Sequence, residues 1–382
     1  MRFKNKILII GGGAVGRGLI APKLIDAGFM VTIADVDRDI TDRLATMKYY
    51  PLVGRGIFKW IGPVSVWNAT EIIYPRIAPS TVTYSFDFDY IFISVKANNL
   101  SEAAKVAKFV INNNKKNIVV YIIENLMSAA DKFCKLLDEL EEYDTRVLDG
   151  IANVVVPVSP HQEQDPTFTV YDPNMELVLV KSQDTPFINT AKYVTNSEFD
   201  FEWFKKFYLH CSVHAFVAYW GIEHGFEYIH EVVTSSPHDA IVSGFINLVG
   251  RAMKFVYPDR ANEIDERGKF EFRCMADHLM MDDCYRVARD PVRKLEYDER
   301  LIGLMYFIRK SLGDTICEDD TYKRLVHVTN SAIRKADLTP DSLLELDSWK
   351  TLPEDILKIF NDGVIEELRN DWKERFSDSS DC

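Results

Sequence analysis

The chain has 382 residues, enough for two or three domains with a full hydrophobic interior. With 47% hydrophobic and 27% charged residues its composition excludes collagenous and largely disordered classes. The 45 lysines and arginines stand against 58 aspartates and glutamates, a net charge of -13 with no long basic block, so partnership with nucleic acid or an anionic membrane is not expected.

The N-terminal MRFKNKILIIGGG begins like a signal peptide, but its apolar run is short, turns to glycine and meets Arg17. It reads as a first β-strand over residues 6–10. Gly11, Gly13 and Gly16 follow at once as G-x-G-x-x-G, and Asp35 closes the next apolar run, Met30 to Val36, 19 residues beyond Gly16. Strand, glycine loop, helix, strand and acid in that order are the fingerprint of a dinucleotide site. Gly11 permits the tight turn, Gly13 lets the backbone approach a pyrophosphate, and Gly16 lets helix pack on strand, with Ala14 and Val15 completing the cofactor-binding loop. The helix N-terminus favours the phosphate charge. Asp35 suits a ribose diol and opposes a 2'-phosphate, so NAD is expected rather than NADP, although Arg38 lies near. Pro22, inside the expected helix, removes a backbone hydrogen bond and predicts a kink.

Further strands are expected over Tyr90 to Val95 and Ile118 to Ile123, with helices over Leu100 to Ile111 and Leu126 to Leu140. Asn98 and Asn99 follow one strand and Glu124 and Asn125 the other, at the carboxyl ends where such sheets bind ligands. Each pair either contacts the cofactor or caps the next helix. Residues 151–182 read as more strand. The fold class is therefore α/β: an N-terminal Rossmann domain with a doubly wound, mostly parallel sheet, residues 1–192, followed by an all-helical C-terminal domain, residues 193–382, that carries the substrate and the catalytic groups.

Within Glu202 to Gly221 the residues Lys206, His210 and His214 recur at i, i+4 and i+8, a polar stripe on an otherwise apolar helix. Oxidation of a secondary alcohol needs a base for the hydroxyl proton and donors for the developing carbonyl oxygen. Lysine shielded by aromatic neighbours can have its pKa lowered to that task. The alternatives are a Lys206 that snorkels to solvent beside a core His214, or a metal site of His210, Cys211 and His214, which lacks any second cysteine pair or H-E-x-x-H helix. The longest stretch without Asp, Glu, Lys or Arg, Phe207 to Ile222, is too short to span a membrane. Six cysteines without a C-x-x-C pair fit free thiols in a reducing cytoplasm. Arg286, Arg289, Arg293, Lys294 and Arg300 cluster in CYRVARDPVRKLEYDER, either a seat for an anionic substrate group, chiefly Arg293 and Lys294, or a solvated face paired with Asp290, Glu296, Asp298 and Glu299.

GGGAVGRGLI with ADVD, IIENL, LDGIANVVVP, KKFYLHCSVHAFVAYWG and RVARDPVRKL together resemble the polyol-specific long-chain dehydrogenases over nearly the whole chain. The resemblance implies NAD-linked, metal-free interconversion of a small sugar phosphate and its polyol phosphate. It places the general base on Lys206 and the residue that orients the substrate oxygen on His214, with His210 and Asn153 also at the substrate. The chain departs from the family in three places. Cys211 stands where the family has an asparagine that holds the reacting oxygen, and a thiol is a much weaker donor. Asn153, followed by Val154, replaces an Asp-Arg pair, and the family's Asn-Pro is missing around Arg273 to His278. An NAD-binding protein with little turnover, or a dehydrogenase of an unphosphorylated polyol or uronate, is the alternative reading.

Overall fold

The apolar runs of the first half form strands covered on both faces, as parallel strands linked by helical crossovers must be. A computed structural model describes residues 5–54, 57–73, 85–114, 116–126, 128–137, 146–153, 165–170, 175–186, 188–189 and 191–376, and the chain divides into two units, Met1–Trp203 and Phe204–Cys382. In the first unit the strands are β1 (Lys6–Ile10), β2 (Met30–Asp35), β3 (Tyr50–Gly54), β4 (Ile57–Ile61), β5 (Val64–Asn68), β6 (Tyr90–Ile93), β7 (Val119–Ile123), β8 (Arg146–Asn153), β9 (Thr169–Val170), β10 (Glu176–Val180) and β11 (Ala191–Val194). Eight of them form one sheet in the order β11-β10-β8-β7-β6-β1-β2-β5. From β5 to β8 every pairing is parallel, which is the 3-2-1-4-5-6 order of a Rossmann sheet; β10 then runs antiparallel to β8. Ile7 and Ile9 pack into one core with Leu19, Leu24 and Ile33, while Leu8 and Ile10 pack into the other with Ile91, Ile93 and Val110. Strand order reverses between β1 and β6, so the crevice beyond their carboxyl ends is where such a sheet takes a ligand.

The expected strands and helices of the sheet are present, each to within a few residues at its ends among the described residues. The expected kink at Pro22 takes another form. Helix 14–26 is π-wound over Gly16–Ile20, the turn before the proline, where the Ala21 N–H reaches back to the Gly16 carbonyl. The wider turn accommodates the ring and the missing donor. The small sheet β4-β3-β9 was not legible in the sequence, because Pro51 and Gly54 interrupt β3. Val154 and the rest of the segment through 164 lie outside the described residues.

In the second unit no strand forms among the described residues, as the helical periodicity predicts. Helices His238–Val256, Ala261–Met275, Ile302–Leu312 and Asp320–Lys335 supply much of its framework. Phe216 stacks on Phe245 at a ring separation of 3.9 Å, and Trp349 is wholly buried. Among the described residues no helix is long and apolar enough to cross a membrane.

Candidate active site

The glycine loop has the geometry its spacing predicts. Gly11 adopts a φ of 102°, and a Cβ there would run into the Ser94 carbonyl at the end of β6. At Gly16 a Cβ would strike the Gly11 carbonyl, so helix and strand could not approach. Around Gly13 nothing lies within 4 Å of an added Cβ, so the backbone there is open to the close approach of a ligand. The loop is thus a cradle that a pyrophosphate fits, with Ala14 and Val15 opening the helix behind it. Asp35 is fixed from both sides: Oδ2 accepts from the Gly12 N–H at 2.6 Å and Oδ1 from the Asp37 N–H at 2.9 Å. These bonds aim a carboxylate beside the loop, as a ribose diol requires.

Arg17 was not singled out as a site residue, yet it is 3% exposed and holds the loop in place. Its guanidinium donates to the carbonyls of Gly12, Thr167 (2.7 Å) and Pro166 (2.9 Å), tying the loop to the segment before β9. Asn98 and Asn99 follow β6, and neither side chain caps a helix, which removes the capping alternative for that pair. Glu124 and Asn125 are half-buried after β7, and the N–H at Ala130 in the next helix is taken instead by Asp149 of β8, at 2.8 Å. Asn153 ends β8 with its Nδ2 donating to Glu176 Oε2 at 3.1 Å. Its Oδ1 is buried and accepts no hydrogen bond among the described residues.

The second unit carries the polar stripe. Lys205–Ser212 is π-wound and runs into the helix Val213–Glu223. Winding of this kind brings both the fourth and the fifth residue over a given side chain, so Cys211 as well as His210 neighbours Lys206. Lys206 is 3% exposed, so it does not snorkel. Burial lowers its amine to about 8, against the opposing pull of Cys211 and Glu271. His210 Nδ1 lies 2.7 Å from Glu271 Oε2, and Arg267 grips the other oxygen of that carboxylate from one turn away. Burial pushes the His210 imidazole down to about 4. For Glu271 burial acts upward, but His210 and Arg267 outweigh it and hold the carboxyl at about 2.

His214 Nε2 lies 3.0 Å from Asp282 Oδ2, while Asp282 Oδ1 accepts from Arg286, with Nε at 3.0 Å. Asp282 is 4% exposed, and burial, which would raise it, is overcome by His214 and Arg286, leaving it at about 2. Each histidine of the stripe therefore has its own buried carboxylate behind it. Among the described residues no cluster of three or more His, Cys, Asp or Glu side chains could hold a metal ion.

The basic segment is neither a plain solvated face nor a set of waiting cations. Arg293 pairs with Glu299 at 3.3 Å. Lys294 is 2% exposed, donates to the Arg289 carbonyl, and is lowered to about 7 by burial and by Arg300 and Arg293. Arg300 lies over the Phe207 ring at 6.0 Å, beside Lys206 in the chain, and its buried Nε stands 3.6 Å from Glu299 Oε2. Sequence reasoning missed Glu271, Arg267 and Asp282. Only Asp282 left a signal, four residues before Arg286.

No protein-family model matches the chain. It is 25% identical over 314 residues to mannitol-1-phosphate 5-dehydrogenase of Clostridium acetobutylicum, covering 78% of this chain and 80% of the other. It is 27% identical over 316 residues to the enzyme of that name from Bacillus subtilis, covering 78% and 81%. Among solved structures it matches Pseudomonas fluorescens mannitol 2-dehydrogenase, in ternary complex with NAD and D-mannitol, with a TM-score of 0.70 at 12% identity over 98% of this chain and 93% of the other. A D-sorbitol dehydrogenase in substrate-free form matches with a TM-score of 0.60 at 13% identity, covering 96% and 95%. These findings bear out the resemblance carried by the motifs: the chain is similar in sequence to the mannitol-1-phosphate 5-dehydrogenases and has the fold of the polyol dehydrogenases.

Proposed function

We propose that this chain is an NAD-dependent dehydrogenase interconverting a sugar phosphate and its polyol phosphate, of the fructose 6-phosphate and mannitol 1-phosphate type. The observation that carries the reading is Lys206, an almost fully buried amine lowered to about 8, on one helical stripe with His214. NAD, when bound, supplies the acceptor for the hydride that leaves the alcohol carbon. Gly11, Gly13 and Gly16 with Ala14 and Val15 would hold its pyrophosphate and Asp35 its ribose, with Asn98, Glu124 and Asn125 at the neighbouring strand ends. Lys206, neutral in a large fraction of molecules near pH 8, takes the hydroxyl proton. His214 turns Nε2 to Asp282, which leaves Nδ1 to meet and orient the substrate oxygen. Asn153 offers its unmatched Oδ1 to a substrate hydroxyl. A carboxylate at 153 would face Glu176 across 3.1 Å, so here the amide, rather than the family's aspartate, is the matched partner.

Arg293 and Lys294, together with Arg300, form the seat for the substrate's anionic group, with His210 lining the same stripe. Because Lys294 is lowered to about 7, it is charged below that pH and neutral above it. KM for the phosphorylated substrate is therefore expected to rise as pH climbs through about 7. A KM flat from pH 6 to 9 would remove Lys294 from the seat.

Cys211 is the weak point of the site. An amide at this position would donate to the oxygen as it gains negative charge, and loss of one such donor costs about 2.7 to 4 kcal/mol. Cys211→Asn is accordingly expected to raise kcat by at least about tenfold. A fall would mean that the site is built around the thiol for a different substrate. The reading as a whole is tested by a panel of mannitol 1-phosphate, mannitol and a uronate with NAD. Preference for the phosphate ester is expected, and equal activity on neutral mannitol contradicts the anionic seat.

A further inference from the structure

The end of β2 carries more acid than the cofactor fingerprint needs. Residues 35–39 read Asp-Val-Asp-Arg-Asp, and Arg38 opens the helix Arg38–Met47. Its guanidinium is 3.2 Å from Glu71 Oε1, the arginine side chain 57% exposed and the glutamate only 11%. Glu71 lies in the helix Ala69–Ile73, which follows the adjacent strand β5. Asn68, which closes β5, lies opposite Asp35 in the β2–β5 ladder. The Asn68 Oδ1 accepts from the N–H of Thr70 at 3.1 Å and of Glu71 at 3.4 Å, which fixes the first turn of Ala69–Ile73 and so places the glutamate. Asp35 thus closes β2 and Glu71 opens the helix after the neighbouring β5, with Arg38 three residues from one and paired to the other.

We propose that Glu71 is a second specificity-determining residue for the cofactor, which rejects NADP by keeping Arg38 from a ribose 2'-phosphate. The inference rests on the dinucleotide reading of the glycine loop. An arginine near this position is the usual partner for a 2'-phosphate, which it grips with paired N–H donors. An exposed ion pair is easily exchanged, but this one is largely desolvated on the glutamate side, so Arg38 reaches a phosphate only by leaving a poorly hydrated carboxylate. NADP is then opposed twice, by the charge of Asp35 and by the capture of Arg38. Neutralising Asp35 alone removes only the first obstacle.

Calorimetric titration of NADH and NADPH into the wild type, Asp35→Ser, Glu71→Gln and the double variant tests this, with the melting temperature of each recorded. Asp35→Ser alone is expected to raise NADPH affinity less than about threefold, and the double variant at least about tenfold beyond either single variant, the scale of a recovered charge-assisted pair. Adding Arg38→Ala to the double variant should cancel that gain, while adding it to Asp35→Ser alone should change NADPH affinity little. A full gain from Asp35→Ser alone overturns the proposal, as does a loss of NADPH affinity when Arg38 is removed from that variant. A double variant that melts normally without the gain overturns it as well. Wild-type protein that binds neither nucleotide overturns the dinucleotide reading itself, and the inference with it.

Discussion

Lys206→Ala is expected to lower turnover by about 10²- to 10⁴-fold, the usual contribution of a positioned base, while leaving NADH affinity intact. The affinity is spared because the glycine loop and Asp35 belong to the first unit and Lys206 to the second. Burial is what makes the residue a base: it disfavours the ammonium and brings the amine down to about 8. The sign of the pH dependence follows. Oxidation needs the neutral amine, so its rate should rise as pH increases through about 8, whereas reduction of the ketone needs the ammonium and should fall over the same range. Glu271 opposes the lowering, so Glu271→Gln should shift both profiles to lower pH. Stopped-flow rates across pH 6 to 10 with a fluorescence titration of NADH check all of this. A variant with wild-type rate would make Lys206 a core lysine of no catalytic consequence.

Asp282→Asn carries the second large effect. The carboxylate, 4% exposed, accepts from Arg286 and faces His214 Nε2 at 3.0 Å, and its replacement by an amide leaves the histidine facing a group that no longer fixes its tautomer. Loss of such an orienting carboxylate behind a catalytic histidine has cost about 10⁴-fold elsewhere, and a fall of about 10² to 10⁴ in kcat is expected here, with NADH binding retained. Asp282→Ala goes further, because it strips a buried partner from two groups, a change typically worth about 3 to 5 kcal/mol of stability. The native carboxyl, held at about 2 against its burial, stays ionised at neutral pH. Its stabilisation is present above the ordinary carboxylate range and fades as pH falls through about 2. Steady-state kinetics and thermal melting separate the two variants. Unchanged kcat in Asp282→Asn would show that His214 needs no orienting partner.

What the sequence revealed depended on how local the signal was. The strand KILII, the glycines after it and Asp35 lie within one βαβ unit, and their order carries the cofactor site without help from distant residues. The polar stripe was legible through helical spacing, although the π-winding of Lys205–Ser212, which sets Cys211 beside Lys206, has no periodic signature. Glu271 stands 61 residues from His210 and looked like any acid on an amphipathic helix. Only the packing of Ala261–Met275 shows that it is buried. In the basic cluster the sequence offers Glu299 among the partner acids, and Arg293 pairs with it, but that Lys294 is buried and donates to the Arg289 carbonyl is fixed only by the fold.

Whether Lys206 serves a sugar phosphate reaction is read from initial rates of NADH oxidation with fructose 6-phosphate, for the wild type beside Lys206→Ala. Loss of NADH absorbance that depends on the sugar phosphate is expected in the wild type, at a rate that falls at least about 10²-fold in the variant. Wild-type protein that binds NADH yet shows no oxidation dependent on the sugar phosphate would contradict it.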